Sequence, residues 1–411
     1  EKDDFHFSEP TTEFLARRNA APTATYGASL VIFSGSPPRD VRVRYTEPAS
    51  PASTVVGGQA NLVRGARILR VNGIDVVNGN DVDGLNAGLF PSTPGVTTTF
   101  EVQNPGGSPR NISMTSVNLS PKPVNRTSVI QTPNGQVGYI LFNTFGPFVS
   151  EREIYDAMVA MSAAGVNDLV LDMRYNGGGL LAVASQLSFM VAGQSRTQGR
   201  AFERLRFNAA AGNRNPVTGQ INNPIPFFST AQGFATTLPA GTPLPALNLP
   251  RVFVLSTAST CSASEAVING LRGIGVEVVL IGNTTCGKPF GFYPQDNCGE
   301  TYYTIQFQGT NDQSFGDYAD GFIPNNSSAS FGVRLPGCQV ADDFSRELGD
   351  PDEALLSAAL TYRATLACPS TAGQEAAPSL VASERVDGGL ALDPPAPGVF
   401  DTNRDMTLPP Q

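Results

Sequence analysis

Three short stretches of this sequence hold residues that could do chemistry together: DMRYNGGG (172–179), STASTCSASE (256–265) and NTTCGKPFG (283–291). In the second, Ser262 and Ser264 stand where a helix should begin. A hydroxyl there lies near unpaired backbone N–H groups and the positive end of the helix dipole, which suits an oxygen nucleophile and a nascent oxyanion. Simple helix capping would use the same serines. The third stretch sets Lys288 among glycines, in a chain with three lysines (Lys2, Lys122 and Lys288) against 24 arginines. A lysine acts as a base near neutral pH only when burial depresses its pKa. Arginine stays protonated and could not replace it; a surface lysine after a strand is the plain alternative. The first stretch supplies Gly177, Gly178 and Gly179, whose bare N–H groups could approach a substrate oxygen. A tight turn would also explain them. The single histidine, His6, lies in a polar N-terminal segment outside any motif. Histidine-based nucleophilic catalysis therefore has little to work with, and lysine is the remaining base.

The elements that would carry these turns are readable. Runs such as TYGASLVIF, DVRVRYTEP and GARILRVNG, broken by Gly, Pro and Asn, make residues 22–120 a β-rich module. Beyond residue 135 the rhythm becomes strand, helix, strand. QVGYILF (136–142), DLVLDMR (168–174), RVFVLST (251–257) and VEVVLIG (276–282) read as strands. Helical SEREIYDAMVAMSAAG, LLAVASQLSFMVA and SASEAVINGLRG lie between them. The first helix has Ser150 and Glu153 at capping-box spacing and Ile154, Ala157, Met158 and Met161 on one face. Such alternation predicts an α/β domain with a largely parallel sheet, and ligands of such sheets bind beyond the carboxyl ends of the strands. All three turns leave such ends. Residues 196–250 read as an irregular surface excursion, 351–367 as an amphipathic helix, and 1–21 hold a short helix with no assigned chemistry.

The 411 residues allow two domains, and a net charge of -9 argues against a nucleic-acid partner. No apolar run is long enough to span a bilayer, and the acidic, polar first residues do not read as a signal peptide. The five cysteines form no CxxC pair, which with one histidine argues against zinc. Cys286–Cys298 and Cys338–Cys368 are candidate disulfides, and Cys261 reads as a small core residue. Disulfide use points to an exported, oxidising setting.

The order LDMRYNGGG, TCSASE, GNTTCGK resembles the signature of the tail-specific, or C-terminal-processing, serine peptidases. The resemblance covers roughly residues 22–330. It implies a PDZ-like domain (22–122) and a Ser-Lys peptidase core (123–368) of crotonase-like (ClpP/crotonase) fold. An N-terminal segment (1–21) and an Ala/Pro-rich tail (369–411) flank them. It implies Ser262 as nucleophile and Lys288 as general base, with an oxyanion hole from the backbone of Ala263 and of Gly177 or Gly178. Glu265 completes the motif and is given only helix-start electrostatics. GARILRVNG (65–73) is similar to a PDZ segment, and Gly27, Ala28, Ser29 and Leu30 look like its carboxylate-binding loop. No metal or organic cofactor is implied, and the partners would be proteins or peptides bound by their C-termini. Two positions depart from the family pattern: Phe292 stands where many members have Gln, and Gly273 where some have Asp. Gln295 is a candidate replacement partner for the lysine.

Two other classes fit parts of the pattern. One is a non-catalytic peptide-binding protein that keeps the peptidase fold. The other is acyl-CoA chemistry, which would need a CoA site that the sequence does not display.

Overall fold

The computed structural model describes residues 5–370 and 404–407. Its central sheet has six strands in chain order: Val124–Thr132, Gly135–Phe142, Asp168–Asp172, Arg251–Ser256, Glu277–Gly282 and Gly337–Gln339. The first pair is antiparallel and every later pairing is parallel. The inner strands are buried on both faces, as their continuous apolar runs require. Alternation divides them between two cores. Ile140, Leu169, Leu171, Val252, Val254, Val278 and Leu280 face the helices Val149–Ala164, Leu181–Ala192 and Ala263–Gly273. Tyr139, Leu141, Val170, Phe253, Leu255, Val279 and Ile281 face the helix Ala354–Thr365. Because strands 168–172, 251–256 and 277–282 are direct neighbours, the three chemistry-bearing turns leave the same sheet edge side by side.

Residues 23–119 build a separate β sheet and small core. Strand Ala28–Ser34 lies at the sheet edge, and a short helix, Val82–Leu89, packs on the core of Val41, Val43, Ile68 and Phe100. This module is joined to the main sheet by a buried ionic cluster. Arg174 donates to Asp172, Asp342 and Glu353, and the module's Arg64 donates to the same Asp342 at 2.7 Å. Arg174 is fully buried and follows the strand that ends at Asp172, so it fixes the start of the YNGGG turn. Removing one member of such a cluster strands uncompensated charges. Arg174→Met should lower unfolding stability by about 3–5 kcal/mol, measured by urea titration. A loss under about 1 kcal/mol, the range of an exposed pair, would contradict this reading.

Three expectations change. Ser150 and Glu153 form no capping box: the helix starts at Val149, Ser150 Oγ donates to Phe145 O, and Glu153 accepts from Val124 N. Residues 196–250 are not a mere surface excursion, since Phe202, Leu205, Phe227, Phe234 and Leu249 are buried in the main core. Their polar spacing hides apolar anchors too far apart to give a period. The disulfides are Cys261–Cys286 and Cys338–Cys368. The second was expected; the first replaces Cys286–Cys298 and makes Cys261 a cross-link rather than core filler. Cys298 sits free and exposed in the turn between Gln295–Asn297 and Glu300–Tyr303. Cys286 is instead carried to Cys261 by the turn that ends in Lys288. Two disulfides fit an extracytoplasmic, oxidising setting. Among the described residues no helix is long and apolar enough to cross a membrane.

Candidate active site

Ser262 is the residue just before the helix Ala263–Gly273 and has φ 59° and ψ -108°. A non-glycine residue at positive φ costs of order 1–3 kcal/mol and persists only where its surroundings enforce it. The enforcing group is Glu265, one turn into the helix and fully buried. Its Oε2 accepts from Ser262 N at 2.9 Å and from Lys288 N at 2.8 Å. Its Oε1 accepts from Gly287 N at 2.8 Å and Thr285 Oγ1 at 2.5 Å. One carboxylate thus ties the serine turn to the lysine turn. Burial pushes the Glu265 carboxyl above its ordinary value, and the donors from Thr285, Lys288, Gly287 and Ser262 work against that rise. The Cys261–Cys286 disulfide joins the same two turns covalently, one residue before Ser262 and two before Lys288.

Asn176 attaches the glycine turn. Its carbonyl accepts from Cys261 N at 3.0 Å and Ser264 Oγ at 2.9 Å, while its Nδ2 donates to Phe142 O. Its Oδ1 accepts from Gly178 N at 3.0 Å. That bond commits the Gly178 amide internally, so of the two candidate glycines Gly177 keeps an N–H unengaged among the described residues. Ala263 N also has no acceptor among the described residues, as expected for a first-turn amide.

Ser262 and Lys288 are both fully buried. Ser262 and Glu265 form a capping box in which Ser262 Oγ faces the Glu265 amide, too loosely for a full hydrogen bond, and among the described residues Oγ makes no bond to Lys288. Catalytic hydrogen bonds are often unmade before substrate arrives, so this geometry does not disqualify the pair. Lys288 Nζ lies 4.7 Å from the Phe5 ring centre and 5.5 Å from that of Phe292. The position expected to hold Gln therefore presents an aromatic wall. Gly273 has a steric reason as well: a Cβ there would come within 2.8 Å of the Asn311 side chain. Gln295 is exposed on its hairpin strand and is not brought to the buried lysine.

Sequence reading missed Asn176 and Thr285, although both lie inside the quoted stretches. It also understated Glu265 and gave Phe5 no role. An Asn directly before a glycine run and a Glu at the third helical position were the available signals. Phe5 had none, because strand Phe7–Pro10 reaches the site by pairing with distant Glu300–Tyr303. The sulfurs of Cys261 and Cys286 and a Glu265 oxygen lie within 4.8 Å of one another. The sulfurs are spent on the disulfide and the carboxylate on four donors, so this group is poorly suited to a metal.

A cleft of about 460 Å3 opens between the β module and the main sheet, lined by Gly27, Ala28, Ser29, Arg44, Lys122 and Tyr175 among others. Leu30 instead packs on the module core, and Gly27 N is already bonded to Thr25 Oγ1 at 3.0 Å.

The serine, lysine and glycine turns are held together within one continuous stretch of the chain. Residues 136–295 match the model of peptidase family S41. The matched stretch contains Asn176, Ser262, Glu265 and Lys288. Among solved structures, one from Bacteroides fragilis NCTC 9343 assigned to the S41 proteases is similar, with TM-score 0.63 and 23% identity over 89% of this chain and 87% of that one. The photosystem II D1 C-terminal processing protease matches more loosely, at TM-score 0.41 and 20% identity over 81% and 78% of the two chains. Among curated proteins, none matches the sequence. At these identities the first likeness speaks for a shared fold, a mixed α/β S41 peptidase fold with several sheets.

Proposed function

We propose that this protein is a serine endopeptidase that cleaves other proteins near their C-termini or in unfolded segments, through a Ser262–Lys288 dyad and an acyl-enzyme. The observation that carries the reading is the Glu265 carboxylate, which accepts from the backbone N–H groups of both Ser262 and Lys288. A structural helix cap needs only the first of these bonds. The mechanism needs Lys288 as the neutral amine, and complete burial favours that form. Lys288 takes the Ser262 proton as Oγ attacks the scissile carbonyl, and the oxyanion is received by the N–H groups of Ala263 and Gly177. The lysine then protonates the leaving amine, and water resolves the ester by the same steps. Incubation with an unfolded protein, followed by mass spectrometry of the fragments, tests this. Wild type should cleave and Ser262→Ala should not; equal cleavage by both would overturn it.

In this reading residues 22–122 form the PDZ-like domain and 123–368 the crotonase-like core, and the setting is a bacterial periplasm or cell envelope. The edge strand at Ala28–Ser34 and the basic side chains of the interdomain cleft would receive a peptide C-terminus. The same cleft holds a group that titrates near neutrality. Burial pushes the half-buried Glu47 carboxyl up to about 7, against the Asn125 hydrogen bond and the charges of Lys122 and Arg126, with Glu153 adding to the rise. Glu47 is neutral below that value and anionic above it. A carboxylate-ended ligand held near Arg44 and Lys122 is therefore repelled only on the alkaline side. A fluorescent peptide with a free C-terminus should bind several-fold more tightly at about pH 6 than at about pH 8. Glu47→Gln should flatten that dependence, and an amidated peptide should not show it. A profile unchanged by Glu47→Gln would contradict the assignment.

A further inference from the structure

The segment 404–407 lies against the two turns that flank Ser262. Its strand Arg404–Asp405 pairs in parallel with Gly179–Leu180, in the register Gly179↔Arg404 and Leu180↔Asp405. Gly179 directly follows the Gly177–Gly178 pair. On its other edge this short strand is already engaged, because Leu180 N donates to Phe145 O and Gly178 O accepts from Phe145 N. The tail segment takes the edge that remains. One residue further on, Met406 N donates to Phe292 O at 3.2 Å, beside the ring that walls Lys288. The Met406 side chain packs on the main core. Thr407 Oγ1 accepts from Arg18 Nη2 at 3.3 Å, and the same buried guanidinium donates to Gly146 O at 2.6 Å. An extended backbone therefore bridges the glycine turn and the lysine turn, held by main-chain bonds and one apolar side chain.

That is how a sheet edge receives a peptide of little fixed sequence: ladder bonds give affinity and a pocket gives preference. We propose that the cleft between Gly179–Leu180 and Phe292 is the enzyme's strand-adding peptide site, and that residues 404–407 occupy it in cis, competing with substrate. The proposal rests on the peptidase reading above, which supplies the substrate that is excluded. Residues 371–403 tether the segment, and a tethered ligand acts at an effective concentration up to roughly millimolar. A free substrate present at lower concentration therefore meets a mostly filled cleft. The resting enzyme is slowed by the fraction of time the tail is seated.

Met406→Pro in the full chain tests this, because proline removes the N–H that bonds Phe292 O. Met406→Asp is the companion variant, placing a charge against the apolar packing. Both should speed amide hydrogen exchange in peptides covering 177–181 and 290–293. Both should raise the initial rate on an unfolded substrate about tenfold. A synthetic peptide of residues 402–409, added in trans, should bind the variants and return their rate toward that of wild type. Unchanged exchange and rate in both variants would overturn the proposal while leaving the peptidase reading intact. Faster exchange without cleavage by any form would support the seating and count against the peptidase reading instead.

Discussion

Replacing Lys288 by arginine should abolish turnover while leaving the protein folded. The expected loss is about ten-thousand-fold or more, comparable to removing the base from other serine hydrolases. Arginine keeps a basic head group on a similar stem, but its guanidinium stays protonated near neutrality, so it cannot stand in for the neutral amine that accepts the Ser262 proton. The substitution is sharper than alanine because it separates a base from a mere cation. If the lysine only steadied negative charge, arginine would serve and much of the activity would remain. Burying a permanent charge where a neutral amine stood should cost stability, a cost partly offset by the faces of Phe5 and Phe292, on which a guanidinium can stack. Single-turnover cleavage with a matched unfolding curve measures both halves of the prediction. Turnover within tenfold of wild type would remove Lys288 from the chemistry.

Glu265 should give the second largest effect, and on two observables at once. Its carboxylate accepts from Ser262 N, Lys288 N, Gly287 N and Thr285 Oγ1, all in a fully buried setting. Glu265→Ala leaves four donors without an acceptor, and a lost charged acceptor typically costs more than a neutral one. A stability loss of about 2–5 kcal/mol is expected. Glu265→Gln keeps the shape but turns an NH2 either toward Ser262 N and Lys288 N or toward Gly287 N, so the tie between the serine and lysine turns should loosen. A misplacement of about 1 Å costs on the order of a hundredfold in rate. The glutamine variant should therefore lose kcat by about that factor, with KM little changed, because no bond to substrate is removed. Thermal unfolding and steady-state kinetics on the two variants separate stability from positioning. A glutamine variant with normal kcat would reduce Glu265 to a helix cap.

These two residues show how far the sequence reaches. Lys288 was legible because lysine is scarce here and because the turn follows an apolar strand, so residue type and place pointed the same way. The parallel sheet was legible from continuous β-branched runs separated by helical periods. The role of Glu265 was not, because its partners Gly287 and Lys288 lie more than twenty residues away and only the sheet order brings them near. The Cys261–Cys286 pairing was hidden for the same reason: local spacing favoured Cys298, while the folded turn delivers Cys286 to the serine loop. Phe5 and Met406 were equally hidden. Both reach the site through strand pairings with distant partners, and neither carries a local pattern that announces them. The core of residues 196–250 was masked by polar spacing between anchors such as Phe202 and Phe234.

The central claim is that Ser262 is the nucleophile, and covalent labelling by a serine-directed fluorophosphonate tests it most directly. Peptide mass spectrometry of the labelled Met406→Pro chain, with wild type beside it, should place a single adduct on Ser262. Lys288→Ala in the same background should suppress it. An adduct on another serine, or none on Ser262 with the fold intact, would contradict the account and favour a peptide-binding protein that has kept the fold without the chemistry.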